Sequence, residues 1–150
     1  MARILVAEDD ADIRHLLTQL LIDDGHEVAA VANGELAIDK IFEGLPDLLI
    51  LDLMMPRRDG FQVLEELRNT GVDSSIKVMV LSARTTEHDH ARSLGLGAYR
   101  HMTKPFDPDE LLACVAELLS LSSEELRQRR DQERDRAQLL SQLESIFSDD

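Results

Sequence analysis

Aromatic residues are nearly missing from this chain: no tryptophan, one tyrosine and four phenylalanines among 150 residues. Hydrophobic residues still make up 43% of it, so the core must be built from Leu, Ile, Val and Ala. Cysteine is almost absent too. Cys114 is the single one. It cannot close an internal disulfide, which argues against a disulfide-framed secreted domain and fits a reducing, cytoplasmic setting. Lying in an apolar helical stretch, it reads as a small buried hydrophobe. Basic residues are in deficit, 16 Lys and Arg against 30 Asp and Glu, for a net charge of −14. That balance argues against a non-specific grip on DNA or on an anionic membrane surface. No apolar run approaches the roughly 18 residues of a membrane span. Met1-Ala2-Arg3-Ile4 leads directly into a strand pattern, so no signal peptide is expected either. What remains is one domain of ordinary size, long enough to bury a core.

Short apolar runs alternate with amphipathic stretches along the chain. Ile4 to Ala7 is continuously apolar, as expected of a strand buried on both faces. A helix comes next, with Ile13, Leu16, Leu17, Leu20 and Leu21 on one face, Asp10 as its N-cap and Gly25 as its stop. Val28 to Ala32 reads as a weaker strand. Asn33 caps a short helix that Gly44 and Pro46 end, and Leu48 to Leu51 forms the third strand. The loop from Met54 to Gly60 leads into a helix marked by Phe61, Val63, Leu64 and Leu67. Ile76 to Leu81 is the fourth strand, Thr85 to Leu94 a polar helix, 99–102 a fifth short strand, and Pro108 to Leu118 a closing helix. Five such units predict an α/β fold with a doubly wound parallel sheet and right-handed crossovers.

That sheet aligns the C-terminal ends of all its strands along one edge, where ligands bind at the reversal of strand order. Glu8 and Asp9, Asp52, Ser82 and Lys104 each lie at or just past the end of a different strand, so the fold brings them together. Asp10 and Asp59 lie close by in sequence. Gathered carboxylates repel by roughly 4 kcal/mol per pair at ~4 Å in a partly wet site, and a divalent cation plus a lysine would neutralise them. Asp52 suits the nucleophile of phosphoryl transfer. Glu8 and Asp9 suit Mg²⁺, which takes a few carboxylates, waters and a phosphate oxygen. Lys104 and the Ser82 hydroxyl suit the phosphoryl oxygens.

The motifs Ile4-Leu5-Val6-Ala7-Glu8-Asp9-Asp10 with Arg14, Leu51-Asp52-Leu53-Met54-Met55-Pro56 with Asp59-Gly60, Leu81-Ser82-Ala83-Arg84, and Lys104-Pro105-Phe106 occur in this order. Over residues 3 to about 119 the chain therefore resembles the receiver domain of two-component response regulators. The resemblance implies a flavodoxin-like sheet of strand order 2-1-3-4-5 over residues 1–120. It implies phosphoryl transfer to Asp52 from a histidine kinase or phosphotransfer protein, and Mg²⁺ (with Mn²⁺ as a substitute) held by Glu8, Asp9, Asp52 and the backbone carbonyl of Met54. Ser82 and Lys104 would contact the phosphoryl group, and the Lys104–Pro105 bond would be cis. The protein would be a signalling switch, not a metabolic enzyme, catalysing its own phosphorylation and slow dephosphorylation and acting on a downstream protein target.

The chain departs from that family at one position: where receivers carry Tyr or Phe three residues before the lysine, it has His101. Two readings stand, a histidine with no switching role, or a rotating switch residue that adds pH sensitivity. Tyr99 would share a strand face with it. Met54 and Arg84 flank the site and should tune phosphoryl lifetime. Arg14 is expected to pack or pair on the first helix, and His88 and His90 to be solvated. An aspartate-nucleophile phosphohydrolase is the alternative from another class, but such enzymes carry a second acid two residues on, where this chain has Met54. A nucleotide-binding module would want a Gly-rich loop after the first strand, and there is none.

Residues 121–150 change character. Ser122-Ser123-Glu124-Glu125 starts a helix, and residues 124–147 contain no Gly or Pro. One heptad register aligns Leu119, Leu126, Leu140 and Phe147 but also Glu133, with Ser122, Arg129 and Arg136 at the other core position. The tail is thus a dimerising or signalling helix, a helix folded back on the receiver, or a linker toward a missing output domain. A homodimer through 108–119 and 121–147 is one expectation. Thirty residues cannot hold a DNA-binding output domain, so direct DNA binding is not expected.

Overall fold

A computed structural model of the chain describes residues 2–72, 75–83 and 86–148. Five parallel strands form one sheet: β1 (Arg3–Ala7), β2 (Glu27–Val31), β3 (Leu48–Leu51), β4 (Lys77–Ser82) and β5 (Arg100–Thr103). Their order is β2-β1-β3-β4-β5. The helices are α1 (Ala11–Asp23), α2 (Gly34–Glu43), α3 (Gly60–Asn69), α4 (Glu87–Gly95), α5 (Pro108–Ser120) and α6 (Ser123–Ser148). The fourth and fifth strands each begin one residue later than their apolar patterns suggest. The polar helix expected from Thr85 starts instead at Glu87, behind a Thr86 N-cap that accepts from the Asp89 N–H.

The central strands are buried on both faces, as their unbroken apolar runs require. One core layer joins Leu49, Leu51 and Val80 of the sheet to α2, α3 and α4; the other joins Val6, Ile50 and Leu81 to α1 and α5. Cys114 is buried in the second layer. β2 is an edge strand, largely exposed, which explains why its sequence pattern is weak. The expected caps are present: Asp10 Oδ1 accepts from the N–H groups of Asp12 and Ile13, and Asn33 Oδ1 from Leu36. Asp59 and Gln62 form a reciprocal capping box on α3.

The tail is helical and folded back. Ser122 Oγ accepts from the Glu125 N–H and opens α6, which lies along α4. Among the described residues of α6 the buried one is Ala137, joined to the core layer of α2, α3 and α4. The helix is interrupted between α5 and α6, so Leu119 belongs to a different element from Leu140 and Phe147. The last two remain 40% and 82% exposed. Among the described residues, no helix is long and apolar enough to cross a membrane.

Candidate functional site

The parallel register puts the ends of β1, β3 and β4 side by side, Ala7 beside Leu51 and Leu51 beside Val80. The first residues beyond or at those ends carry the chemistry. Glu8 and Asp52 are buried, Ser82 fully so, and Asp9 is exposed. One carboxylate oxygen from each of Glu8, Asp9 and Asp52 lies within 4.8 Å of the others. Lys104 reaches this group from the end of β5, donating to Glu8 Oε1 and, at 3.2 Å, to Asp52 Oδ2. Asp52 Oδ1 accepts from the Met54 N–H at 3.1 Å, so the carboxylate is held from both sides. The Lys104 N–H donates to the Ser82 carbonyl at 3.0 Å, and the Lys104–Pro105 bond is cis. The Met54 side chain is 57% exposed at the rim; Arg84 lies outside the described residues.

Asp10 and Asp59 do not join the cluster. Each caps a helix, and the Asp10 N–H turns back to Glu8 Oε2 at 3.2 Å. Arg14 does more than pack on α1. Its Nη1 donates to the Glu8 carbonyl at 2.9 Å and the Asp9 carbonyl at 3.3 Å, fixing the loop that presents both acids. The spacing from Asp9 to Arg14 is visible in sequence, but a contact to backbone carbonyls leaves no pattern there.

The loop after Asp52 closes by contact with its own start. The Gly60 N–H donates to the Leu53 carbonyl. A Cβ at Gly60 would lie 2.4 Å from the Asp52 carbonyl oxygen and 2.7 Å from Leu53 Cα. Arg57 and Arg58 take positive φ, 49° and 74°, each strained by roughly 1–3 kcal/mol. The Glu35 N–H, at the start of α2, holds the Arg57 carbonyl at 2.9 Å.

Burial raises the Glu8 pKa from its ordinary 4.5 to about 7; the Lys104 hydrogen bond opposes this and Asp52 adds to it. Burial works to lower the Lys104 pKa, but its bond to Glu8 and the charges of Asp52 and Glu8 outweigh that and hold it above 10.5. In the metal-free protein, the folded state keeps a proton on Glu8 that the unfolded chain has lost. The contribution of this group to stability therefore falls as pH rises from about 4.5 to about 7. A cation that needs ionised Glu8 must displace that proton. Calorimetric titration should therefore show Mg²⁺ affinity rising roughly tenfold per pH unit below pH ~7, with about one proton released per ion, and levelling off above. A flat profile would show that Glu8 is not a ligand.

His101 and Tyr99 do not share a face. β5 begins at Arg100, so Tyr99 precedes the strand and packs in the layer with Leu111 and Cys114. His101 turns to α4 instead: Nδ1 lies 3.2 Å from Ser93 Oγ, and its ring meets that of His90 edge-on, centroids 5.0 Å apart. His90 is therefore half-buried, whereas His88 is exposed as expected.

A family model described as "Response regulator receiver domain" matches residues 4–116. The chain is 40% identical over 113 residues to the transcriptional regulatory protein DltR of Streptococcus agalactiae, covering 75% of this chain and 50% of that protein. It is 41% identical over 117 residues to the response regulator MprA of Mycobacterium avium, covering 78% and 50%. It thus spans about half the length of these curated relatives. Among solved structures, the Francisella response regulator 1452 receiver domain superposes with a TM-score of 0.75 at 29% identity, covering 79% of this chain and 97% of that one. TrrA from Thermotoga maritima, solved in complex with Mg(2+)-BeF, gives a TM-score of 0.70 at 37% identity, covering 79% and 99%.

Proposed function

The chain belongs to the response regulator receiver domain family, and from that premise we propose that Asp52 is its phosphoacceptor. The observation that carries the reading is the juxtaposition of buried Asp52 with Glu8, Asp9 and Lys104 at one sheet edge. In the transfer, an Asp52 carboxylate oxygen forms a bond to phosphorus. The bond from phosphorus to a kinase histidine nitrogen, or to that of a phosphotransfer protein, breaks. Its electron pair stays on the imidazole, which takes up a proton. Lys104 and the Ser82 hydroxyl meet the phosphoryl oxygens, and the same site later admits water for slow self-catalysed dephosphorylation.

The hard, all-oxygen donors of Glu8, Asp9 and Asp52, within 4.8 Å of one another, fit Mg²⁺, with the Met54 carbonyl as a further ligand and Mn²⁺ as a substitute. When bound, the ion would supply positive charge that offsets these acids and the charge of the incoming phosphoryl group. That TrrA was solved in complex with Mg(2+)-BeF supports Mg²⁺ as the ion for this chain. In this reading His101 is the switch residue that carries the change at Asp52 to α4.

The partners are a histidine kinase or phosphotransfer protein and a downstream protein, in a cytoplasmic setting. The exposed Leu139, Leu143, Ile146 and Phe147 of α6 support helical pairing, including a homodimer that uses α5 and the tail. The test is intact-mass spectrometry after incubation with acetyl phosphate. The protein should gain one phosphoryl group only with Mg²⁺ present, and Asp52→Asn should gain none. Equal labelling of that variant would refute the assignment.

A further inference from the structure

We propose that the corner between β2 and α2, Val31 to Glu35, positions the acid site, and that Gly34 is a positioning residue whose missing side chain lets the loop after Asp52 close. The inference rests on Asp52 being the phosphoacceptor and adds to it a segment that touches neither the metal nor the phosphoryl oxygens.

Two stretches of chain carry the site, and this corner holds both. On one side the Val31 carbonyl, at the end of β2, accepts from the Glu8 N–H at 3.0 Å. On the other, the Glu35 N–H donates to the Arg57 carbonyl at 2.9 Å. Between them Gly34, the first residue of α2, is buried. A Cβ there would lie 2.1 Å from the Arg58 carbonyl oxygen, 2.8 Å from the Arg58 carbonyl carbon and 2.9 Å from Val63 Cγ2. Only hydrogen fits that approach. Asn33, itself buried, steadies the corner by capping α2 through the Leu36 N–H at 2.8 Å.

The corner bears on the chemistry because the loop is anchored at two places. One is Gly60, pressed against the Asp52 carbonyl and Leu53 Cα. The other is the pair Arg57 and Arg58, which lie in the left-handed region at φ 49° and 74°. A residue other than glycine keeps that conformation only where its surroundings impose it. The start of α2 supplies that constraint, with a backbone donor that has no partner inside its own helix. Met54 lies between the two anchorages, its N–H on Asp52 Oδ1 at 3.1 Å and its carbonyl a proposed metal ligand. A side chain at Gly34 would push on Arg58, and with the Gly60 end fixed the displacement passes toward Met54 and Asp52.

Gly34→Ala in the full chain tests this, with Gly95→Ala, whose Cβ would meet nothing within 4 Å, as the control. In calorimetric titration Gly34→Ala should bind Mg²⁺ at least about fivefold more weakly, the lower end of ordinary couplings between sites. Even at saturating Mg²⁺ it should take up phosphoryl from acetyl phosphate roughly tenfold more slowly, within the ~100-fold that a misplacement of about 1 Å can cost. Adding Arg58→Gly should restore most of both losses, because glycine lets the 58–59 peptide turn away from the new methyl without strain. Gly95→Ala should match the wild type in both. Wild-type affinity and rate in Gly34→Ala, with β1 and β3 amides still protected from hydrogen exchange, would overturn the proposal. So would losses that Arg58→Gly leaves in place. Should Gly34→Ala fail to fold, hydrogen exchange on the wild type decides. Because couplings are reciprocal, Mg²⁺ should slow exchange of the Glu35 amide at least about fivefold, and an unchanged rate would overturn the proposal. A wild-type chain that takes up no phosphoryl group would strike the assignment of Asp52, and this inference with it.

Discussion

Replacing Gly60 with alanine should lower the unfolding free energy by about 3 kcal/mol, the upper part of the range for overpacking, and weaken Mg²⁺ binding at the same time. Gly60 is the first residue of α3, where alanine would ordinarily be favoured by up to about 1 kcal/mol. Packing reverses that sign. The added Cβ would sit 2.4 Å from the Asp52 carbonyl oxygen and 2.7 Å from Leu53 Cα. Both are backbone atoms, and neither can swing aside as a side chain would. The strain must be relieved by moving the segment that carries Asp52, so the metal site and the fold suffer together. Gly95 is the control: it closes α4, and nothing lies within 4 Å of the position its Cβ would take, so Gly95→Ala should be neutral or slightly stabilising. Urea unfolding and Mg²⁺ titration of the two variants measure the difference. Equal stability of both would contradict the close approach.

Lys104→Met should cost the metal-free protein about 3 kcal/mol at pH ~8, in the range for removing one partner of a buried ion pair. The lysine is 15% exposed and is shared by two carboxylates that are 2% and 6% exposed. Without it, Glu8 and Asp52 face each other at close range with no compensating charge. The loss should shrink as pH falls toward about 7, because Glu8, freed of the Lys104 bond that opposes its rise, takes up a proton there while the wild-type Glu8 is still ionised. It should also shrink on adding Mg²⁺, which replaces the missing positive charge and stabilises by mass action. Thermal unfolding across pH, with and without the ion, reads both trends. A loss independent of pH and of Mg²⁺ would mean that Lys104 acts through packing alone.

Much of this architecture is legible in the sequence because burial on both faces leaves an unmistakable mark. Ile4 to Ala7 and Leu48 to Leu51 can be little else than central strands, and the residues just past their ends must then meet at one edge. The caps at Asp10 and Asn33 are readable for a similar reason, since one side chain and one turn of backbone define them. The failures have physical causes as well. The shared face expected of Tyr99 and His101 fails because alternation holds only inside a strand, and β5 starts at Arg100. The role of Arg14 is hidden because it bonds to carbonyl oxygens that every residue has. The seat of α6 is hidden because it uses Ala137 between Arg134 and Ser141, whereas the leucines that catch the eye stay in solvent.

The central claim is that Asp52, among all the acids at this sheet edge, forms the acyl phosphate. Borohydride reduces an acyl phosphate to the alcohol and releases phosphate, so it leaves homoserine where the phosphorylated aspartate stood. After phosphorylation by acetyl phosphate with Mg²⁺ and then reduction, peptide mass spectrometry should find homoserine at position 52. Homoserine at Asp9, Asp10 or Asp59 in place of Asp52, or none anywhere in protein that carries the phosphoryl group, would contradict the account.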